Sequence, residues 1–383
     1  MKKTAVVTGA SGGMGAGVKA PYEITPLKGI QNKAPQGVEV TYAPAYKDFR
    51  GMFGRRGAAP GAKPDPEIAS AIDEPTTPEM LNEALALAKD ADVVVFLAGT
   101  NKSIESEGSD RQNIKLPVGQ EEIVAALAEV NPNIVSVVIS GGPCDLQVLQ
   151  QYSKAMLQGW WNGLEGGNAL ADILFGNIAP SGKLPMTFPV KLEDSPAYAL
   201  DNFPQKAEVQ GDLFGNQYRQ DIQGQRRFAM PAPDAHYSEG MYVGYRWFDT
   251  KNVKPLYAFG HGLSYVNFEY SNIKANKTSY KAKDVITVTF DLKNCGDMEA
   301  DEVAQLYVHR INGKVEFPVK ELKAFQRVTL AAGETKTVTL QIPVANLKYW
   351  DEAINDWNLE DCDIDLLLGS ASDDIRLSTK VHI

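Results

Sequence analysis

The chain has 383 residues, 44% of them hydrophobic, so it can bury substantial cores and has room for two or three domains. Its 38 Lys and Arg against 48 Asp and Glu give a net charge of −10 without basic runs, which argues against nucleic acid or an anionic membrane surface as partner. No apolar stretch approaches the roughly 18 residues of a membrane helix. The apolar run after Met1-Lys2-Lys3 is too short for a signal peptide, so a cytoplasmic location is expected of the sequence as written. Cys144, Cys295 and Cys362 have neither disulfide nor zinc spacing and read as ordinary thiols; no metal or cofactor is expected.

The opening residues, from Thr4 through Gly9, Gly12, Gly13 and Gly15, look like the strand and glycine turn of a dinucleotide-binding fold. Such a turn is a weak signal alone, and it needs a helix starting at the turn with an acidic residue about 20 positions on. Pro21 interrupts too early, so the nicotinamide reading is set aside. From Lys47 to Asp73 the chain is rich in Gly, Pro, Ala and Arg and has no period, as an irregular surface loop would. Thr77-Pro78 then caps a helix whose packed face carries Leu81, Leu85 and Ala88.

Val93 to Leu97 is an uninterrupted apolar run, as expected for a parallel strand covered on both faces, and Gly99 ends it. The loop that follows holds Glu105, Glu107, Asp110 and Arg111, and Leu116-Pro117 is expected to open the next helix. Ligands in open α/β sheets bind beyond the carboxyl ends of strands, which is where this acidic loop falls; a solvated loop with an internal ion pair is the plainer alternative. Ile123, Leu127 and Val130 line a helix, and Ile134 to Ile139 form a second buried strand that ends at Gly141-Gly142-Pro143. Strands alternating with helices predict a mostly parallel sheet.

The run Gly99-Thr100-Asn101, then Glu105-Ser106-Glu107-Gly108-Ser109-Asp110-Arg111, then Leu116-Pro117 and Gln120, resembles the acid/base loop of glycoside hydrolase family 3, the β-glucosidases and β-xylosidases. The resemblance continues through Gln158 to Ala169, with its paired Trp160 and Trp161, through Gly176 to Pro189, and through Tyr237 to Tyr265. The glycines and tryptophans of the first of these segments could line a sugar site, although packing suits the tryptophans better. Between Ser195 and Asp234 the chain is polar and without period and reads as an extended arm; His261, with no acidic neighbour in sequence, reads as a structural or interface histidine.

The last part alternates strictly. Ile286, Val288, Phe290 and Leu292 interleave with polar residues, as do Val338, Leu340 and Ile342, with a turn at Gly333-Glu334. Short alternating strands over about 110 residues predict a β-sandwich of immunoglobulin or fibronectin type. The expected class is therefore α/β plus all-β: an α/β/α sandwich with a mostly parallel sheet over 1–190, an arm and connection over 191–258, and a fibronectin type III-like β-sandwich over 259–383. The two domains should pack rigidly, because the connection from Tyr242 to Tyr265 is dense in aromatics that need burial.

The resemblance implies a retaining β-glycosidase that works with two carboxyl groups. Glu107 is then the acid/base, Glu105, Ser106 and Arg111 are substrate-binding, and the nucleophile is an aspartate on a (β/α)8 barrel. Such a barrel takes about 250 residues, for which this chain has no room. The expected substrate is a β-linked glucoside or xyloside, and the expected partner a barrel-bearing chain or further copies of this one. A non-catalytic carbohydrate-binding or scaffold protein is one alternative. A stand-alone hydrolase of another class, such as an esterase, is another; it would need a nucleophile elbow of Gly-x-Ser-x-Gly type, and none is expected here. For Glu107 to hold a proton, Arg111 must pair with Asp110 or Glu105 instead.

Overall fold

A computed structural model describes residues 2–7, 21–47, 76–100, 104–105, 111, 113–117, 119–203, 217–220, 226–229 and 236–383, with 2–7, 217–220 and 226–229 described by backbone alone. The first half is built on five parallel strands: β1 (Lys2–Val7), β2 (Val38–Ala43), β3 (Val93–Gly99), β4 (Ile134–Ile139) and β5 (Ala155–Gln158), in the order β2-β1-β3-β4-β5. The order reverses between β1 and β3, which is the point where ligands bind in doubly wound sheets.

Among the described residues five helices cover the two faces: α1 (Pro26–Lys33), α2 (Pro78–Lys89), α3 (Gln120–Val130), α4 (Gln147–Tyr152) and α5 (Gly166–Leu174). Thr25 and Thr77 cap α1 and α2 by accepting from the backbone N–H groups of Lys28 and Met80, with a proline at the first helical position of each. The apolar run of β3 is divided between the faces. Val94, Phe96 and Ala98 pack under α2, α3 and α4, whereas Val95 and Leu97 pack under α1 and α5. On α2 the predicted face is the packed one, with Ala84 and Ala88 fully buried. On α3, Val124 is buried and Val130 is exposed at the helix end.

One boundary departs from expectation. The helix after the acidic loop starts at Gln120, not at Leu116-Pro117, because Gly119 is the N-cap with φ +94°, a backbone angle that favours glycine. The freed Gln120 side chain turns back and closes two bonds on Gly99: Gly99 N–H donates to its Oε1 at 2.9 Å, and its Nε2 donates to Gly99 O at 2.9 Å.

The second half has seven long strands: β8 (Phe268–Ala275), β9 (Val285–Asn294), β10 (Ala300–Ile311), β11 (Glu321–Leu330), β12 (Thr335–Pro343), β15 (Asp363–Ala371) and β16 (Asp374–His382). They form antiparallel sheets of order β11-β10-β15-β16 and β12-β9-β8, a sandwich of four strands on three. The alternating residues of β9 and β12 meet Leu306 and Val308 of β10 and Ile364, Leu366 and Leu368 of β15 in its core. Two hairpins were not anticipated: β6 (Gln217–Gln220) with β7 (Arg226–Ala229) inside the polar arm, and β13 (Tyr349–Asp351) with β14 (Asp356–Asn358). Most of the expected 47–73 loop, the glycine turn after β1 and much of the arm lie outside the described residues.

The connection between the halves is tied to both. α6 (Tyr245–Thr250) buries Trp247 and Phe248, and the Tyr245 ring stacks on Phe259 at 4.8 Å and meets Tyr307 edge-on at 5.9 Å. On the other side Phe188 N–H donates to Tyr257 O at 2.8 Å, and Lys183 pairs with Glu302 of β10 at 2.9 Å with both side chains almost fully buried. The aromatic connection thus packs against both halves, although Tyr265 at its far end is half exposed.

Candidate active site

The carboxyl end of β3 is shaped by close contact with β4. Gly99 has φ +140°, and a Cβ added there would lie 1.9 Å from Ile139 O, so only glycine fits. The next residue, Thr100, is buried, donates its N–H to Ile139 O at 2.9 Å and points its hydroxyl into the start of the acidic loop.

Glu105 receives it. Its Oε2 accepts from the Thr100 hydroxyl at 2.7 Å and from the Gly141 backbone N–H at 2.7 Å, while its Oε1 faces Arg111 Nη1 at 3.6 Å. Arg111 in turn donates from Nη2 to Pro143 O at 2.9 Å and lies 3.7 Å from Cys144 Sγ, whose thiol burial pushes upward in pKa. Both charged side chains are largely shielded, at 15% and 20% exposure. One carboxylate thus gathers the end of β3, the end of β4 and the far side of the acidic loop. The pairing of Arg111 with Glu105 is one of the two arrangements that the acid/base reading requires. Ser106 and Glu107, the other sequence-predicted site residues, lie outside the described residues.

Reasoning from sequence did not single out Thr100, Gly141 or Ser140. Buried Ser140 donates its hydroxyl to Gly142 O at 2.9 Å and is held by Gln158 Nε2 at 3.0 Å. The signal was available in Gly141-Gly142-Pro143, since this run follows a buried strand that neighbours β3. The paired tryptophans separate. Trp160 has φ 54° and packs edge-on to Phe188 at 6.1 Å on the α2 to α4 face. Trp161 lies on the opposite face, with its indole Nε1 2.4 Å from where a Cβ on Gly141 would stand, so it borders the Glu105 cluster. Gly167 does not face this cluster: a Cβ there would meet Thr25 O at 2.1 Å, and one on Gly29 would meet the Gly167 carbonyl carbon at 2.0 Å, so these glycines let α5 approach α1. His261 lies tilted against Tyr257, with ring centroids 5.0 Å apart, within the connection, as an interface histidine. Among the described residues no His, Cys, Asp and Glu side chains cluster as metal ligands would, and no helix is long and apolar enough to cross a membrane.

The family described as glycosyl hydrolase family 3 C-terminal domain matches residues 1–265, and a fibronectin type III-like domain matches residues 302–372. The chain belongs to the glycosyl hydrolase family 3 C-terminal domain family. Thermostable beta-glucosidase B of Acetivibrio thermocellus is 39% identical over 312 residues, which is 82% of this chain and 37% of that protein. Beta-glucosidase BoGH3A of Bacteroides ovatus is 35% identical over 367 residues, 95% of this chain and 44% of that protein. Among solved structures, a GH3 beta-glucosidase of Bifidobacterium adolescentis superposes with a TM-score of 0.80 at 29% identity over 100% of this chain and 49% of that one. The beta-glucosidase of Kluyveromyces marxianus in complex with glucose gives 0.67 at 35% identity over 80% of this chain and 33% of that one. The chain therefore spans less than half the length of the curated relatives it matches.

Proposed function

We propose that this chain is the part of a retaining β-glycosidase that supplies the acid/base carboxyl, Glu107, to the hydrolysis of a β-linked glucoside or xyloside. The nucleophile comes from outside this sequence, on a barrel in another chain or in a longer protein. The observation that carries the reading is the Glu105–Arg111 ion pair at the carboxyl ends of β3 and β4. Arg111, four positions from Glu107 in sequence, is engaged by another carboxylate, which suits an acid/base that must hold its proton until the leaving oxygen takes it. Ser106, beside it, contacts the substrate. The membership in a family whose relatives are beta-glucosidases supports the same reaction class.

In the first step Glu107 protonates the departing oxygen while the external carboxylate attacks the anomeric carbon; in the second it draws a proton from a water whose oxygen attacks that carbon, which breaks the bond to the external carboxylate and releases the sugar. The test is a nitrophenyl glycoside and ester panel on the chain alone and with a barrel-bearing partner, with masses measured by size exclusion. Glu107→Gln keeps substrate binding and cuts turnover on the order of 100-fold or more for poor leaving groups, with less loss of glycosylation for activated aryl ones. Azide restores the deglycosylation step, since an anion needs no base. Turnover unchanged by Glu107→Gln would sink the assignment, and glucose binding without turnover in any combination would make the chain a binding or scaffold protein.

The esterase alternative needs one correction. The expectation that no Gly-x-Ser-x-Gly run occurs is wrong, because Gly9-Ala10-Ser11-Gly12-Gly13 after β1 spells it, in residues outside those described. Ester hydrolysis abolished by Ser11→Ala would favour that reading over the glycosidase one.

A further inference from the structure

The sequence-level expectation gives Glu105 and Arg111 to the substrate, but their contacts leave them little capacity for it. Oε2 of Glu105 already takes two short bonds, from a hydroxyl and a backbone N–H, and Oε1 faces a guanidinium whose other nitrogen is bound to Pro143 O. The bonds come from separate pieces of chain: Thr100 from the end of β3, Gly141 from the end of β4, Arg111 from the return of the acidic loop. The neighbouring backbone also lies close to them. A Cβ on Gly141 would stand 2.4 Å from Trp161 Nε1 and 3.2 Å from Glu105 Oε2, and one on Gly142 would stand 3.3 Å from Arg111 Nη2. A carboxylate that takes two short bonds from two strand ends and faces a guanidinium is a fastener for those ends.

We infer that Glu105 is a positioning residue that, with Arg111, locks both ends of the acidic loop onto the carboxyl ends of β3 and β4, and that neither residue is a sugar ligand. This rests on Glu107 being the acid/base. Two residues of chain reach at most about 7 Å, so fixing Glu105 confines where the Glu107 backbone can lie. Fixing Arg111 does the same from the other side. The backbone that carries the acid/base carboxyl is then held by its neighbours in sequence.

The experiment is hydrogen exchange of the full chain, followed at the Gly141 amide and across residues 98–116, together with a glucose titration. Glu105→Ala should speed exchange at both places by about tenfold or more and leave the β9 and β15 amides unchanged, because the acceptor that holds the Gly141 N–H is gone. Glu105→Gln keeps one carbonyl acceptor and should restore most of the Gly141 protection. Thr100→Val removes a single donor and should give a smaller rise confined to 98–116. If Glu105→Ala does not fold, the comparison of Glu105→Gln with Thr100→Val decides by the same amides. Exchange unchanged when the carboxylate is removed would overturn the inference. So would a loss of glucose affinity in Glu105→Gln with exchange unchanged, since that marks a sugar ligand. None of these readings uses turnover, so the inference about Glu105 and the assignment of Glu107 fail separately.

Discussion

The two sheets use polar groups in opposite ways. In the parallel sheet β3 is apolar from Val94 to Ala98, and its polar partners are concentrated at one end, where Gln120 clasps Gly99 and Glu105 joins Thr100 to Gly141. In the sandwich they are spread along every strand, facing water on one side. Strand β10 is the exception. Gln305 and Tyr307 point away from the sandwich core yet are buried, because the connection from Tyr245 to Gly260 covers them. The Tyr307 hydroxyl donates to Gln305 Oε1 at 2.6 Å, and Gln305 Nε2 donates to Ser370 O. The α/β unit thus concentrates its polar contacts at its strand ends, and the sandwich uses an outer face to brace that unit.

The largest effect should come at the strand end. Gly99→Ala must move Ile139 O away from a contact of 1.9 Å and hold alanine at φ +140°, so it should cost more than about 4 kcal/mol and lower the melting temperature by on the order of 10 °C. Gly176→Ala, at φ +75° with open space around it, should cost only about 1 kcal/mol. Equal losses in thermal melts would show that backbone angle, and not the β3–β4 contact, is what matters.

Next is the brace. Glu302→Ala leaves Lys183 charged and nearly buried at the junction and should destabilise by about 3–5 kcal/mol, whereas the paired change Lys183→Met with Glu302→Leu should be close to neutral. Calorimetry should show one transition for the parent chain and two after Tyr245→Ala, which removes the ring between Phe259 and Tyr307. Two transitions in the parent would mean that the sandwich does not brace the α/β unit.

These contrasts also explain what could be read from sequence. A continuous apolar run and a strict alternation are local patterns, so β3 and β9 were legible, and so were the parallel and antiparallel classes of their sheets. The Arg111–Glu105 pair was one of two partners the loop allowed. Gly141 was not legible as a partner of Glu105, because the contact spans 36 positions and depends on β4 lying beside β3. The separation of Trp160 from Trp161 turns on a positive φ that side chains rarely adopt and that nothing in the local sequence signals. The start of α3 was placed too early because Pro117 gave a stronger local signal than Gly119.

The smallest effect expected is at His261, which sits between Tyr257 and the sandwich. Burial holds its imidazole below the ordinary value of 6.5; Asp373 and Asp374 work against that shift and Lys183 works with it. Above about pH 6.5 the histidine is neutral folded or unfolded and contributes nothing to pH dependence. As pH falls below that value the unfolded chain takes up the proton and the folded one resists it, so stability drops until the folded group also protonates. His261→Gln cannot titrate and keeps a polar side chain near Tyr257. Melting temperatures of both proteins, taken between about pH 7.5 and about pH 5.5, should fall more steeply for the parent chain, with the difference confined to the acidic part of that window. Parallel slopes would mean that Asp373 and Asp374 offset the burial at this junction. The brace would then be insensitive to mild acid.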